Sequence, residues 1–259
     1  MASGKDIELN EAGWWSHWAD VRWTEPESYV MLSSDFDEYF FNRGGFVSGG
    51  IGSDSIARME VEFEAAERPP CFSVQDEYKE IAAILNSRGY TTFDEMSVMQ
   101  LARSKFKNAS DLKVLRGRDV DTKEWAATYA LSFYGDPSLQ ELVASIADRL
   151  ARDPSVTLFA GVKDKGMLGV LAAFRTPGLL GVYCVGTIEK SRGTGVAGSL
   201  IQEANKIASA EARALVLQTI ISDGVEGFYA RGGFRRLYLK HLMKRETSGP
   251  NRSERVVPA

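Results

Sequence analysis

The segment 192–199, RGTGVAGS, combines small residues with a basic side chain where a helix is predicted to begin. Phosphate oxygens can approach the backbone at small residues such as Gly193, Gly195 and Ala197, and a helix N-terminus favours negative charge. Arg192 adds a positive charge beside them. These features predict a phosphate-binding loop. The alternative, a glycine turn that only joins a strand to a helix, requires fewer small residues.

The letters GTGVAG also match G-x-G-x-x-G, the dinucleotide-binding pattern. A Rossmann loop follows its strand directly, and an acidic residue ends the next strand. Here the polar run 189–192 separates the strand from Gly193, and the next predicted strand, ALVLQTI, contains Gln218 and no carboxylate. The Lys-Ser/Thr pair of a P-loop is missing as well. These features argue against a Rossmann unit. A nicotinamide-dependent enzyme is therefore kept only as a further alternative function.

Read in a second frame, 192–197 is R-x-x-G-x-A, and about thirty residues later 228–234 reads FYARGGF. At these motifs the chain resembles the GNAT superfamily of acyl-CoA-dependent N-acyltransferases, which has Q/R-x-x-G-x-G/A before its third helix and F-Y-x-x-x-G-F at the end of its fourth. The resemblance implies an α+β fold of mixed layers, the GNAT fold, with a mostly antiparallel central sheet splayed between strands four and five.

The resemblance also implies a site for acetyl-CoA, as co-substrate, whose contacts come mostly from the main chain. The exposed edge of strand four, at Val185, Gly186 and Thr187, would pair with the pantetheine arm like an added strand. One amide there would polarise the thioester carbonyl. The residues implied for the diphosphate are Arg192, Gly193, Thr194, Gly195, Val196, Ala197 and Gly198.

Three further side chains carry roles that the resemblance implies. Tyr229 stands where many members have a tyrosine that protonates the departing CoA thiolate; the alternative is an aromatic side chain packed in the core. Phe228 is expected beside the cofactor and in the core. Ser222 stands where the family often has an asparagine that contacts pantetheine, so that hydrogen bond would come from a hydroxyl group.

The general base is not readable from the sequence, and the candidates near strand four are Tyr183, Cys184 and Glu189. Cys184 is not expected to be a nucleophile, because buried strand cysteines are usually inert and no histidine lies near it in sequence. His17 and His241 have no metal-ligand spacing, so no metal site is predicted.

The elements that must position these residues are clearest in the second half. Apolar periodicity predicts helices over 121–136 and 137–154, a hairpin over 156–176, and then strand, helix, strand, helix and strand over 178–188, 195–212, 214–220, 223–232 and 234–245.

In the first half, strands are predicted over 29–35, 39–48, 69–74 and 95–102, with helices near 14–18 and over 76–90. Residues 53–66 fit either a helix or a strand, and 103–119 reads as a polar connection. The predicted domains are a smaller N-terminal α+β lobe, 1–115, a catalytic GNAT domain, 116–246, and a disordered tail, 247–259.

The two halves share a short, weakly similar sequence pattern. A predicted helix ends at 88–90, RGY, and another at 231–234, RGGF, and each enters a strand. The first half therefore resembles a degenerate GNAT-like lobe, as in tandem members of the superfamily. Because it has no R-x-x-G-x-G/A, it is expected to bind no CoA and to cover the acceptor side of the cleft. The alternative is an unrelated α+β domain.

The net charge of −4 over 259 residues gives no reason to expect nucleic acid or an anionic membrane as partner. Two cysteines and the absence of a signal-like apolar segment favour the cytoplasm. The expected protein is a monomeric or homodimeric N-acetyltransferase that passes an acetyl group from acetyl-CoA to a small-molecule or peptide amine in a ternary complex. The alternative is a catalytically silent CoA-binding sensor or scaffold.

Overall fold

The computed structural model describes residues 2–164 and 166–245, so the predicted tail at 247–259 lies outside the described residues. The α-helices are α1 Gly4–Trp15, α2 Ser53–Ala65, α3 Lys79–Ser87, α4 Thr122–Tyr134, α5 Gln140–Arg152, α6 Val196–Ala210 and α7 Glu226–Arg231. The strands are β1 Asp20–Glu25, β2 Ser28–Leu32, β3 Arg43–Phe46, β4 Cys71–Gln75, β5 Tyr90–Leu101, β6 Lys113–Arg116, β7 Val156–Lys163, β8 Gly166–Thr176, β9 Leu179–Thr187, β10 Ala214–Ile220 and β11 Phe234–Arg245.

Local sequence explains the ends of α4. The carboxylate of Asp121 accepts hydrogen bonds from the backbone N–H groups of Lys123 and Glu124 at 2.9 and 3.0 Å, which caps the helix start. Gly135, with φ of 65°, ends the helix in the left-handed conformation that glycine adopts at low cost. These residues place the C-terminal end of α4 over β9.

The strands form one 11-stranded sheet in the order β1-β2-β3-β4-β11-β5-β10-β9-β8-β7-β6. Neighbouring strands are antiparallel except for two parallel pairs, β3 with β4 and β9 with β10. The predicted mostly antiparallel α+β sheet is confirmed.

The two parallel pairs have equivalent surroundings. In each, a helix (α2 or α6) joins the paired strands, and a shorter helix (α3 or α7) leads to the last strand of that half. The last strands are exchanged: β11 lies between β4 and β5, and β5 lies between β11 and β10. On this basis we propose that the halves are two copies of one unit, joined through a shared central pair of strands.

Alternate residues of β8 contact two different hydrophobic cores. Val170, Ala172 and Phe174 pack with α1, α4 and α5, whereas Leu171 and Ala173 pack with α6 and α7. Because side chains alternate across a strand, α1, α4 and α5 cover one face of the sheet and α6 and α7 cover the other.

The structure differs from the sequence interpretation in four segments of the first half and its connection. The helix predicted near 14–18 is instead the end of α1, which begins at Gly4 and ends at Trp15. Residues 53–65 form helix α2 with Ile56, Met59 and Phe63 buried, which resolves the open alternative. Strand β1 was not predicted, because its side chains are half-buried or exposed. Strand β6 lies within the predicted connection and pairs with β7. Since β6 spans the predicted boundary between 115 and 116, we propose that the second lobe begins before Lys113.

Candidate functional site

The parallel strands β9 and β10 separate at one end of the sheet. Their pairing ends at Val182 and Leu217, although β9 continues to Thr187. The register of β9 against β8 shifts in the same region, where Cys184 has a φ of 54°, which identifies a bulge in β9. The splay predicted between strands four and five of the GNAT fold is therefore present.

The splay leaves one edge of β9 available. Val170 and Gly169 of β8 pair with Gly186 and Thr187 on one side, and in the described chain no strand pairs with Val185, Gly186 or Thr187 on the other. Unpaired strand edges can hydrogen-bond an extended ligand. This edge fits the amide-bearing pantetheine arm.

The loop after β9 has the backbone that its glycines predict. Gly193 and Gly195 have φ values of 77° and 90°, which L side chains rarely adopt. Gly195 is the N-cap of α6, and the described residues provide no side-chain cap for it. The hydroxyl group of Thr194 donates to the carbonyl of Ser191 at 2.7 Å. Val196 is buried and Ala197 is half-buried.

The first N–H groups of a helix have no intrahelical acceptor, and here the N-cap residue supplies none either. Residues 192–195 are exposed, so a ligand can reach the N–H groups at the start of α6. An uncapped helix start of this kind fits a phosphate group. The residues present therefore fit the diphosphate that the loop motif implies.

Arg192 is positioned by protein carbonyl groups. Its Nη2 donates to the carbonyl of Ser132 at 3.2 Å and its Nε approaches that of Thr187 at 3.5 Å. These contacts connect α4, the end of β9 and the loop. The predicted contact of Arg192 with phosphate stays a prediction.

A packing contact explains why position 198 is a glycine, and the motif alone does not reveal it. A Cβ atom at Gly198 would lie 3.1 Å from the ring of Phe106, and one at Gly232 would lie 1.9 Å from it. Phe106 also packs on Phe228, with ring centroids 5.2 Å apart. These two glycines therefore make room for an aromatic side chain from the connection between β5 and β6.

Tyr229 is buried on α7 and packs against Phe228 and Phe234. Burial, with a smaller contribution from the charge of Asp223, raises the pKa of its phenol. The side chain is therefore a protonated donor at neutral pH. Both the packing role and the proton-donor role remain compatible with this position.

Ser222 follows β10, and its hydroxyl group donates to Oδ2 of Asp94 at 2.5 Å. Asp94 lies on β5, opposite Leu242 of β11. Met96, two residues further along β5, packs with Leu242 and Ile220. The sequence pattern does not mark Asp94, because only the strand exchange brings it beside β10.

The structure shows the surroundings of the three candidates for the general base, which are Tyr183, Cys184 and Glu189. The Tyr183 hydroxyl group donates to Oδ1 of Asn10 at 2.7 Å, and burial raises its pKa well above the usual value. Burial likewise raises the pKa of the Cys184 thiol, which argues against a thiolate nucleophile. Glu189 is exposed in the turn after β9.

The first half contains a counterpart of the cleft, between β3 and β4. There the hydroxyl group of Tyr78 donates to the carbonyl of Val47 at 3.3 Å, and a Cβ atom at Gly49 would lie 3.0 Å from the Tyr78 ring. Helix α2 also has Asp54 in its first turn, whereas α6 has no acidic residue there. An aromatic ring closes this counterpart, and the carboxylate disfavours phosphate.

Comparisons with solved structures identify the fold. A GCN5-related N-acetyltransferase from Kribbella flavida has a TM-score of 0.70 at 16% identity, over 96% of this chain and 97% of that chain. One from Sphaerobacter thermophilus has a TM-score of 0.58 at 16% identity, over 85% and 80%. A tandem GNAT protein from the clavulanic acid biosynthesis pathway has a TM-score of 0.61 at 12% identity, over 97% and 98%. The chain therefore has the GNAT fold.

No protein-family model matches the sequence, and no curated protein matches it. Within the described residues, no group of three or more His, Cys, Asp or Glu side chains is placed to hold a metal ion. None of the described helices has the length and apolar character that crossing a membrane requires.

Proposed function

We propose that the chain is an N-acetyltransferase that uses acetyl-CoA to acetylate a primary amine. The observation that supports this best is the separation of β9 from β10 after Val182, beside the uncapped start of α6. Together these features provide an extended edge for amide groups and N–H groups for phosphate. The counterpart in the first half is closed by Tyr78, and we propose that only the second half binds CoA.

The backbone of β9 orients the thioester in this proposal. Successive backbone N–H groups of a strand point to opposite edges, so alternate amides within Val185, Gly186 and Thr187 face the unpaired edge and hold the pantetheine arm. An amide N–H directed at the thioester carbonyl stabilises the negative charge that develops on its oxygen during attack. Holding both substrates in one cleft also removes the entropic cost of bringing them together.

Tyr229 donates the proton that the leaving thiolate requires. A phenol carries its proton at neutral pH, and because burial raises the pKa of Tyr229 the proton leaves only as negative charge develops on the departing sulfur. As the amine nitrogen bonds to the carbonyl carbon, the C–S bond breaks and the sulfur takes this proton. Phe228 and Phe234 fix the ring by packing.

Asp94 is the carboxylate that we propose for the acceptor side. It belongs to β5 but reaches the end of β10, where it accepts a hydrogen bond from Ser222. On β5 it precedes Met96 and Val98 by two and four residues, and Val98 packs with Ile7 of α1. Asp94 therefore faces the side of the sheet opposite α6 and α7, where it can bind an ammonium group and accept its proton.

The test measures thiol release from acetyl-CoA with a panel of amines, a no-acceptor blank, and CoA binding by calorimetry. We expect amine-dependent release, no CoA binding by Gly195→Glu, and unchanged CoA affinity with reduced turnover in Tyr229→Phe. Gly89→Glu is the matched control, because Gly89 also has a positive φ, 86°, and open space around it, and it follows α3 in the first half. If every amine matches the blank while CoA binds, the sensor alternative replaces the enzyme. If CoA does not bind, the CoA site itself is wrong.

A further inference from the structure

The connection between β5 and β6, residues 102–112, is not used by the proposed reaction; we call it the strap. Its first part is hydrogen-bonded to the turn after α7. The backbone N–H of Ala102 donates to the carbonyl of Gly233 at 3.1 Å, and that of Lys105 donates to Gly232 at 2.9 Å. The strap is therefore held against the helix that carries Tyr229.

The middle and end of the strap are held against α6. Gln202 donates through Nε2 to the carbonyl of Phe106 at 2.6 Å. The backbone N–H of Ala109 donates to Oγ of Ser199 at 2.7 Å. A Cβ atom at Gly195 would lie 3.4 Å from Cβ of Ala109. The strap thus runs along α6 and reaches the N-cap residue of the phosphate-binding loop.

Cationic side chains of the strap point away from the protein. Ser104 and Phe106 are half-buried, whereas Arg103, Lys105 and Lys107 are exposed. None of the ion pairs within residues 2–164 and 166–245 involves these three cations. The strap has these three cations and one carboxylate, Asp111, whereas the whole chain has a net charge of −4.

Lys107 lies close to the loop by chain length alone. It is two residues from Ala109, so the Cα atoms of the two residues lie within about 7 Å of each other. Ala109 in turn lies against Gly195, the N-cap residue of α6. Lysine carries its charge on a flexible four-carbon stem and binds phosphate as a point charge. Arg192, by contrast, donates to protein carbonyl groups.

We propose that Lys105 and Lys107 form a subsite for the 3′-phosphate of CoA. The proposal rests on the proposed function, since it assumes that the diphosphate occupies the start of α6. In this arrangement the loop and the strap bind different phosphate groups of the cofactor. Backbone N–H groups of the loop bind the diphosphate, and the two lysines of the strap bind the 3′-phosphate. The connection between the lobes then becomes part of the cofactor site.

The test compares CoA with 3′-dephospho-CoA, which lacks only this phosphate, by calorimetry at low and moderate salt. We expect the wild type to bind CoA more tightly. Lys105→Gln/Lys107→Gln should weaken CoA binding about tenfold and leave 3′-dephospho-CoA binding unchanged. Backbone hydrogen bonds hold the strap, so the variant should keep its fold. Lys79→Gln/Lys123→Gln removes the same charge from exposed positions on α3 and α4 and is the control.

Each outcome separates the two proposals. Wild-type protein that binds both nucleotides equally, or a variant that weakens both equally, overturns the subsite and leaves the proposed function standing. The same is true if the control pair has the same effect as the strap pair. Wild-type protein that binds neither nucleotide overturns the proposed function and the subsite together.

Discussion

A buried cluster of charges under α1 gives a prediction that is independent of the reaction. Glu8 and Glu11 of α1, Arg43 of β3 and Lys240 of β11 each have 1% of their surface exposed. Lys240 Nζ lies 2.7 Å from Glu8 and also contacts Glu11. Arg43 donates to Glu11 at 2.6 Å, and the Tyr238 hydroxyl group donates to Glu8 at 2.9 Å. The cluster therefore joins both halves to α1.

The pKa values of the two carboxyl groups are shifted in opposite directions. Burial raises the pKa of Glu8 to about 7, although Lys240 opposes the shift, and the neighbouring Glu11 charge adds to it. Burial also acts on Glu11, but Lys240 and Arg43 outweigh it and lower its pKa to about 2. Glu11 thus keeps the charge and holds both cations, while Glu8 holds a proton near neutral pH.

The raised pKa of Glu8 implies that stability depends on pH. The folded state binds this proton more tightly than the unfolded chain, whose value is near 4.5. The resulting stabilisation is fully present below pH 4.5 and is lost as the pH rises through 7. The difference corresponds to about 3 kcal/mol. Glu11 acts in the opposite sense, but its contribution is lost only as the pH falls from 4.5 towards 2.

Glu8→Gln tests this reasoning, because an amide resembles the protonated carboxyl group and does not titrate. Urea denaturation, followed by tryptophan fluorescence, gives the free energy of unfolding at pH 5 and pH 8. We expect the wild type to lose about 2.5 kcal/mol more than the variant over this range, because pH 5 already lies above the unfolded value. Subtracting the two curves isolates Glu8, since the other titrating groups are common to both proteins.

Glu64→Gln, an exposed position on α2, is the control and should follow the wild-type curve. Parallel curves for Glu8→Gln and the wild type would refute the assignment of a proton to Glu8 near neutral pH. They would mean that the cluster holds two charged carboxylates with Lys240 and Arg43.

Two further predictions concern packing between the halves. Gly232→Ala places a methyl group 1.9 Å from Cζ of Phe106 and should cost about 1–3 kcal/mol in urea denaturation. Adding Phe106→Ala should give a double variant more stable than the summed single costs, and strict additivity would contradict the contact. Removal of residues 1–115 takes β5 from between β10 and β11, so the remainder should be unfolded or aggregated by circular dichroism and size-exclusion chromatography. A monomeric, active fragment would contradict the shared sheet.

The elements of the second half were predictable because their patterns are local. Helix α5 buries Val143, Ile146 and Leu150 at helical spacing, and β9 and β10 are apolar runs. The glycines of the loop were likewise informative, since the φ values of Gly193 and Gly195 require residues without a Cβ atom. Here the sequence alone predicted both the elements and the loop between them.

The features that the sequence did not predict are non-local or lie at the sheet edges. Strands β1 and β6 are end strands with half-buried or exposed side chains, so they lack the apolar signal of buried strands. The Ser222–Asp94 hydrogen bond joins residues 128 positions apart. Phe106 lies in a basic, polar stretch that gives no sign of its packing on Gly198 and Gly232. Only the order of strands in the sheet brings these groups together.

The strand exchange makes the first half part of the structure around the proposed site in the second half. The ring of Tyr78 lies against Val47 and Gly49, at the position in the first half that corresponds to the cleft of the second half. Strand β5 of that half nevertheless pairs with β10 and carries Asp94 to Ser222, and the strap that follows it reaches the start of α6. Substitutions in the first half can therefore alter the second half's site through backbone pairing alone. For that reason we propose that the first half is a structural component of the site as well as a cover over its acceptor side.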